Sequence, residues 1–346
     1  MNLDQLHKVA VKMVTPGQGL LAADESTGTI KKRFDSINTT STEDKRRDWR
    51  EMLFRSDHAM KNHISGVILY DETIRQNAKD GTPLVDLIRE NDAIPGIKVD
   101  MGAKPMAGRP GETITEGLDG LRERLNEYYE LGARFAKWRA VIEISNPDTA
   151  DKVTPSWGAI KANTHALARY AALCQEANIV PIVEPEVLMG GYHGIQTCHD
   201  VTENVLKTLY SDLYEQGVAL EGTILKPNMV VAGKRCDTQP SVEEVAERTV
   251  QVLKDCVPSA VPGIAFLSGG QDNVVATEHL NAMNQIGGFP WNLTYSYGRA
   301  LQQSALFTWA GDDNNYEAAQ KAFNHRARMN GLASMGQWSA EEEATG

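Results

Sequence analysis

Lys226 is the residue whose surroundings most clearly suggest chemistry. It lies near the middle of an apolar, β-prone run from Gly222 to Val231, which is typical of a buried strand. Burial disfavours the ammonium form of a lysine and lowers its pKa, so we expect a free amine able to attack a carbonyl carbon. The alternative is a lysine at a strand end that reaches solvent along its apolar stem.

Further acids and bases stand late in other apolar runs. Asp24, Lys137 and Glu184 each end such a run. Arg139 and Glu186 come two residues after Lys137 and Glu184, and residues two apart on a strand share a face. Taken singly, Asp24 could cap the next helix, and Lys137 could form a plain ion pair with Glu184. Their coincidence at one rim predicts an inward ring of catalytic groups around the buried amine.

The elements that must position these residues form an alternating series. Eight runs rich in valine, isoleucine and leucine begin near Gly19, His63, Ile94, Ala133, Ile179, Gly222, Pro262 and Pro290. Segments with helical periodicity separate them, and the clearest one opens with a capping box formed by Ser241 and Glu244. Strands that alternate with helices favour parallel pairing. Eight such units predict an α/β fold, a closed (β/α)8 TIM barrel with its catalytic rim at the carboxyl ends of the strands.

No linker or shift in composition divides the chain. We therefore expect a single domain over residues 1–346. Within it we expect an N-terminal helix at about 3–14, the barrel at about 19–331 and a mobile tail at about 334–346.

Two glycine-containing segments predict where an anion binds. They follow the seventh and eighth apolar runs and contain Ser268, Gly269 and Gly270, then Ser296, Gly298 and Arg299. Loops at these places commonly form the phosphate site of such barrels, because glycines let backbone N–H groups approach the anion. Arg299 adds a positive fork. Each segment taken alone could be an ordinary glycine turn.

Charge and composition exclude several classes of function. The formal net charge of −11 argues against a general surface for nucleic acid or acidic membranes, so an anionic ligand must meet a local basic pocket. No apolar stretch is long enough to span a bilayer. The N-terminus has neither the regions of a signal peptide nor the composition of a transit peptide, which predicts a cytoplasmic protein.

The cysteines and histidines show no metal-binding pattern. The four cysteines are far apart, as expected for free thiols in a reducing compartment. His193 and His199 lack both the spacing and the glutamate of a metalloprotease helix. We therefore predict neither a metal nor another cofactor.

Seven motifs, in order, resemble those of class I fructose-1,6-bisphosphate aldolases, the Schiff-base type. They are Leu21–Gly28, Gly117–Leu121, Phe135–Arg139, Val183–Glu186, Leu225–Met229, Leu267–Gln271 and Ser296–Leu301. Each motif alone is weak evidence, whereas the ordered set is specific. The resemblance implies the same barrel and metal-independent cleavage of fructose 1,6-bisphosphate to dihydroxyacetone phosphate and glyceraldehyde 3-phosphate, in glycolysis, gluconeogenesis or the Calvin cycle.

The resemblance also implies a role for each site residue. Lys226 corresponds to the Schiff-base lysine, and Asp24, Lys137 and Glu184 correspond to residues that handle protons and position the substrate. Glu186 corresponds to a second acid beside them. One substrate phosphate would be bound by the segments of Ser268, Gly269, Gly270, Ser296, Gly298 and Arg299. The rest of the sugar bisphosphate would be bound by Ser26, Thr29, Lys32, Arg33 and Arg139.

Two departures from animal members stand out. Met101 replaces a lysine that binds the C6 phosphate, and we expect Lys104, three residues on, to share that task with Arg139. The chain also lacks the terminal tyrosine of the animal enzymes, because no tyrosine follows Tyr316. We expect the acidic tail to stay outside the active site.

Two other functions would fit parts of this sequence pattern. A different Schiff-base barrel enzyme, such as a transaldolase or a deoxyribose-phosphate aldolase, would need a similar lysine and phosphate site, but the ordered motifs disfavour it. A catalytically idle scaffold should have lost one of Lys226, Asp24 or Glu184, and all three are present. The resemblance suggests a homotetramer and leaves fructose bisphosphate, fructose 1-phosphate and sedoheptulose bisphosphate open as substrates.

Overall fold

Eight parallel strands close into a barrel in the computed structural model, which describes residues 1–145 and 154–345. The barrel strands are β1 Gly19–Ala23, β2 Ile64–Leu69, β3 Ile94–Lys98, β6 Phe135–Ile142, β7 Val180–Val187, β8 Ile224–Leu225, β9 Gly263–Phe266 and β10 Asn292–Tyr297. β4 Ala103–Pro105 and β5 Thr113–Thr115 form an antiparallel hairpin that leaves the barrel after β3. The predicted (β/α)8 barrel is confirmed, and each strand starts within two residues of its predicted position.

The helices surround the barrel between its strands. They are α1 Leu3–Met13, α2 Thr27–Asp35, α3 Glu43–Phe54, α4 Asp57–His63, α5 Asp71–Ile74, α6 Leu84–Glu90, α7 Leu121–Glu130, α8 Trp157–Glu176, α9 Ile195–Glu215, α10 Val242–Cys256, α11 Asn273–Ile286, α12 Arg299–Trp309, α13 Tyr316–Ala333 and α14 Ala340–Glu343. Ser241 caps α10 as predicted, since its side chain accepts a hydrogen bond from the backbone N–H of Glu244. None of the described helices is both long and apolar enough to cross a membrane.

The barrel interior is an apolar core at its amino end. Leu6, Ala10 and Met13 of α1 are at most 1% exposed and pack against inward side chains of the strands, among them Phe135 and Ile182. α1 therefore closes the amino end of the barrel, and the carboxyl end carries the polar groups.

Gly96 of β3 shows how tightly this interior is packed. A Cβ atom at Gly96 would lie 2.3 Å from the ring of Phe135, so no larger residue fits without displacing that ring. The close approach of β3 to β6 sets the positions of the residues that follow on both strands.

Lys226 lies just beyond a very short strand, and its predicted place in the middle of a long strand is wrong. β8 contains only Ile224 and Leu225. The ladder ends because Pro227 has no N–H to donate, and the side chain of Asn228 instead accepts from the N–H of Val187 at 3.0 Å.

The C-terminal tail, which the sequence predicts to be mobile, packs against α13 in the part that the structure describes, as far as residue 345. Its short helix, α14, is held against α13 through Glu343, which pairs with the buried guanidinium of Arg326 and with His325. The indole N–H of Trp338 donates to the same carboxylate at 2.9 Å. A guanidinium that is 3% exposed needs a counter-ion, and Glu343 supplies it.

Candidate active site

A cavity of about 390 Å³ opens at the carboxyl ends of the barrel strands. It is lined by Asp24, Glu25, Ser26, Thr29, Arg33, Lys98, Asp100, Gly102, Ala103, Lys137, Arg139, Val141, Glu184 and Lys226. Four of the five predicted catalytic residues are therefore brought together, as are four of the predicted substrate-binding residues. Charged groups of both signs crowd this wall, as expected of a site that handles protons.

Glu184 bridges two ammonium groups at the floor of the cavity. Its Oε1 lies 3.2 Å from Nζ of Lys226, and its Oε2 lies 3.3 Å from Nζ of Lys137. On its other side Lys137 pairs with Asp24, at 2.8 Å. The side chains of these four residues are at most 13% exposed, so the ion pairs lie in a poorly hydrated environment.

Strand register and alternation place these side chains. Arg139 of β6 lies opposite Glu184 of β7, and Lys137 lies opposite Lys98 of β3. Trp138, between the two inward cations, faces outward and packs against Tyr170 of α8 with ring centroids 5.5 Å apart. This alternation of polar residues inward and apolar residues outward is what the sequence pattern of β6 predicted.

The electrostatics keep both acids ionised. Burial alone would raise the pKa of the Asp24 carboxyl, but Lys137 and Lys226 hold that pKa well below its ordinary range. The same two cations outweigh burial at Glu184 and lower its pKa. At neutral pH each carboxylate can therefore accept a proton.

Lys137 stays a cation. Burial alone would lower its pKa, but the carboxylates of Asp24 and Glu184, with a further contribution from Asp100, raise that pKa well above its ordinary value. Lys137 thus supplies a permanent positive charge beside Lys226.

Glu186 occupies a different environment from Glu184. It is 6% exposed, and its carboxylate accepts from the guanidinium of Arg139. Burial would lower the pKa of Arg139, but Glu186 raises it above its ordinary value. The predicted second acid is thus the partner of an arginine that lines the cavity.

Asp100 and Lys98 are cavity residues that sequence reasoning missed. Asp100 lies 3.2 Å from Nζ of Lys98 and 3.9 Å from Nζ of Lys137, and it also accepts from the backbone N–H of Arg139. The signal was available, because Lys98 and Asp100 are two residues apart at the end of a strand, as are Lys137 and Arg139.

The predicted phosphate loop follows β9. Gly269 and Gly270 have φ angles of +59° and +90°, a conformation that glycine adopts without strain. Nζ of Lys234 donates to the carbonyl of Gly270 at 2.5 Å, and Nη2 of Arg299 donates to the carbonyl of Gln271 at 2.6 Å. Two cations therefore border this loop, one of which the sequence reasoning missed.

The remaining predicted residues lie around this loop and cavity. Ser268 and Ser296 are 8% and 1% exposed. Gly298 precedes α12 and approaches Arg33, whose Nη2 would lie 3.4 Å from a Cβ atom at that position. Lys32 is exposed and lines a separate groove of about 240 Å³ between α2 and α12.

Lys104 is not among the residues that line the cavity, and its role in binding substrate stays a prediction. It is exposed on β4, whereas its neighbour Ala103 lines the cavity. Successive residues of a strand point to opposite faces, which explains why one faces inward and the other does not. Met101, which departs from the animal pattern, is 63% exposed.

These groups suit carbonyl chemistry. A buried amine beside an ionised acid and a permanent cation can form an imine and move protons on it. Together the fold and the cavity define a barrel enzyme equipped for carbonyl substrates.

Comparisons with known proteins identify the family. The model described as fructose-bisphosphate aldolase class-I matches residues 5–346. A Xanthomonas campestris protein named probable fructose-bisphosphate aldolase class 1 is 56% identical over 98% of this chain and 99% of its own. The Dictyostelium discoideum fructose-bisphosphate aldolase is 49% identical over 98% of this chain and 94% of its own. The chain belongs to the class I fructose-bisphosphate aldolase family.

A comparison with a solved structure supports the same family. The aldolase of Plasmodium falciparum, in a complex with TRAP and a small-molecule inhibitor, matches with a TM-score of 0.94 and 46% identity over 98% of this chain and 96% of that one. The activity predicted from the motifs is therefore confirmed: an aldehyde-lyase that reversibly cleaves fructose 1,6-bisphosphate.

Proposed function

We propose that Lys226 is the amine that forms the Schiff base. Three lysines, Lys98, Lys137 and Lys226, line the cavity. The observation that carries the assignment is how the carboxylates are shared among them. Lys137 contacts Asp24, Asp100 and Glu184, whereas the one carboxylate in contact with Lys226 among the described residues is Glu184, which it shares with Lys137. Of the two lysines that Glu184 bridges, Lys226 therefore has the fewer ion-pair partners, and its amine is the freer to form a covalent bond.

Lys98 is a weaker candidate than Lys226. Its ammonium lies 3.2 Å from Asp100, a carboxylate that is 3% exposed. Its side chain is also more exposed than that of Lys226, at 17% against 5%. Each of the two lysines pairs with one carboxylate at 3.2 Å, so the greater hydration of Lys98 is what separates them.

The chemistry follows from this placement. Lys226 attacks the C2 ketone of the open-chain sugar, and loss of water gives a protonated imine that accepts the electron pair of the C3–C4 bond. Asp24 takes the proton of the C4 hydroxyl as that bond breaks and glyceraldehyde 3-phosphate leaves. The enamine is then protonated, and hydrolysis of the imine releases dihydroxyacetone phosphate.

The neighbouring groups support these steps. Glu184 lies 3.2 Å from the Lys226 amine, within reach to assist formation and hydrolysis of the imine. Lys137 keeps its charge throughout and stabilises oxyanions that develop beside it. Glu186 orients Arg139 towards the substrate.

The two phosphates of the substrate are assigned to two basic regions. The loop at Ser268, Gly269 and Gly270, with Ser296, Gly298 and Arg299 beside it, binds one phosphate through backbone N–H groups and a guanidinium. Ser26, Thr29, Arg33 and Arg139 bind the second phosphate, with Lys32 nearby on the same helix as Arg33.

The enzyme is further proposed to need no metal and no organic cofactor. Class I chemistry supplies its electron sink through the lysine imine. Among the described residues, His199, Asp200 and Glu203 are close enough together to hold an ion, but they lie on α9 and none of them lines the cavity. Activity that is unchanged in a chelator would support this assignment, and loss of activity that zinc restores would contradict it.

The cellular location and the oligomeric state are proposed from the similarity of this chain to its relatives. The four cysteines are free, and two Arabidopsis thaliana relatives, 51% identical, are named cytosolic, which supports a cytoplasmic enzyme. The family resemblance supports a homotetramer that binds sugar phosphates and neither nucleic acid nor membranes. Sedimentation equilibrium tests the tetramer directly, and a monomer across the micromolar range would contradict it.

Trapping of the imine tests the central assignment. Borohydride added together with dihydroxyacetone phosphate should inactivate the enzyme and leave one reduced adduct on the peptide that contains Lys226. Borohydride alone is the control and should leave activity intact. An adduct found only on Lys137 or Lys98 would overturn the assignment.

A further inference from the structure

Glu25, next to Asp24, lies at the centre of a buried charge network and has no role in the proposed chemistry. It is 6% exposed and lines the central cavity. Its Oε1 accepts from Nη1 of Arg33 and, at 3.0 Å, from the side-chain amide of Gln302. A carboxylate buried this deeply needs such partners, so the arrangement is specific.

The protein holds Glu25 from behind. Arg50 of α3 is 0% exposed, and its Nη2 donates to the backbone carbonyl of Glu25 at 2.8 Å. Gln302 of α12 also donates to the carbonyl of Ala22 at 2.7 Å and accepts from the indole N–H of Trp49 at 3.2 Å. Residues from two helices, α3 and α12, therefore hold Glu25 in one place.

Arg33 is the more exposed of the two members of this network that line the cavity. Its side chain is 22% exposed and lines the cavity, whereas that of Glu25 is 4% exposed. Pairing with Glu25 uses Nη1 of Arg33, and among the described residues no carboxylate pairs with its other two nitrogens. A guanidinium is planar, so anchoring one nitrogen sets the direction of the others.

We propose that Glu25 is a positioning residue, which orients Arg33 so that its remaining donors meet the second phosphate of the sugar bisphosphate. Pre-anchored arginine loses less conformational freedom when the anion binds, so Glu25 raises affinity for that phosphate without touching the reacting atoms. The inference rests on the proposed phosphate-binding role of Arg33.

The test compares three substitutions with two substrates. Arg33→Met and Glu25→Gln should each raise KM for fructose 1,6-bisphosphate about ten-fold, and neither should raise KM for fructose 1-phosphate, which lacks the second phosphate. The KM of the double variant for the bisphosphate should be no higher than that of the more affected single variant, because both changes remove the same interaction.

Glu72→Gln is the matched control. Glu72 pairs with Arg46 and Arg50 at the outer side of this network and has no contact with Arg33, so KM should change less than two-fold.

A second variant protects the test against misfolding. Glu25→Asp keeps the negative charge beside Arg50 but withdraws the carboxylate from Arg33 by one methylene group, so it should raise KM for the bisphosphate as Glu25→Gln does. Equal effects on the two substrates, or a rise in Glu72→Gln as large as in Glu25→Gln, would mean that the network is structural only and would overturn the proposal.

The outcomes also separate this inference from the one on which it rests. If Arg33→Met raises KM and the two Glu25 variants do not, the positioning role fails and the phosphate assignment stands. If Arg33→Met has no effect, the phosphate assignment itself fails and the positioning role fails with it.

Discussion

Buried charges occur in two regions of this molecule, and their surroundings differ. In the cavity, Lys137 and Lys226 share Glu184, and all three border open space where a substrate fits. Under the C-terminal tail, the guanidinium of Arg326 is enclosed by protein partners: the carboxylate of Glu343, the hydroxyl of Thr277 and a backbone carbonyl.

The difference concerns what each charge can do. Charges that share one partner at the edge of an open cavity can exchange protons or partners when a substrate enters, and catalysis requires such exchange. Charges whose neighbours are all protein groups stabilise one packing arrangement and resist change. Burial of a charge is therefore no guide to function unless the neighbouring space is considered too.

Lys226→Met gives the largest expected effect. Methionine keeps the apolar stem but cannot form an imine, so cleavage of the bisphosphate should fall at least about a thousand-fold, and borohydride trapping should fail. Steady-state kinetics and mass spectrometry measure the two effects. A variant that keeps more than a tenth of its activity would show that the nucleophile lies elsewhere in the cavity.

Lys137→Met should give the second-largest loss of activity and should shift the pH profile of kcat/KM. Lys137 lowers the pKa values of Asp24 and Glu184, so both acids stay ionised to lower pH in the intact enzyme. Without Lys137 both pKa values rise, and the acid limb of kcat/KM against pH should move to higher pH while the rate at neutrality falls about a hundred-fold. An acid limb that stays in place would refute the proposed coupling.

Glu343→Gln should affect stability and spare catalysis. Loss of the carboxylate leaves the buried guanidinium of Arg326 without its counter-ion, which should lower the free energy of unfolding by about 2–4 kcal/mol. The half-exposed pair of Arg328 with Glu342 provides the control, and Glu342→Gln should cost under about 1 kcal/mol. Urea unfolding at pH 7 distinguishes the two, and equal losses would contradict the comparison.

The contribution of Glu343 to the free energy of unfolding should also depend on pH. Burial would raise the pKa of Glu343, but hydrogen bonds from Trp338 and Arg326 lower it below the ordinary value. A lowered pKa means that this stabilisation is present above the unfolded pKa and is lost as the pH falls through the folded pKa. The stability gap between the intact enzyme and Glu343→Gln should therefore narrow in acid.

Lys104→Met should have the smallest effect. The side chain is exposed outside the cavity, so KM for the bisphosphate should change less than two-fold. Arg139→Met, which alters a residue that lines the cavity, is the positive control and should raise KM for the bisphosphate. A rise in KM for Lys104→Met that is confined to the bisphosphate would restore the role that the sequence suggested for Lys104.

Much of the site was predictable because the residues of a strand alternate between its two faces. Lys137 with Arg139 and Glu184 with Glu186 obey a period of two, and a barrel gathers such rows at one rim. Asp100 follows the same rule two residues after Lys98, but it lies beyond the last residue of β3, where the alternation of a strand no longer fixes the direction of a side chain. The prediction for Lys104 rested on nearness along the chain, whereas the structure places this residue outside the residues that line the cavity.

The sequence alone determined the barrel, the set of acids and bases and the family, because these depend on local patterns and on the order of short motifs. The tertiary structure alone decided which groups touch. Glu184 bridges two lysines, Glu25 anchors Arg33, and Glu343 neutralises Arg326 from a tail that the sequence predicted to be mobile. Such contacts join residues from different strands and helices, and their formation depends on how closely the packed elements approach, which no local pattern records.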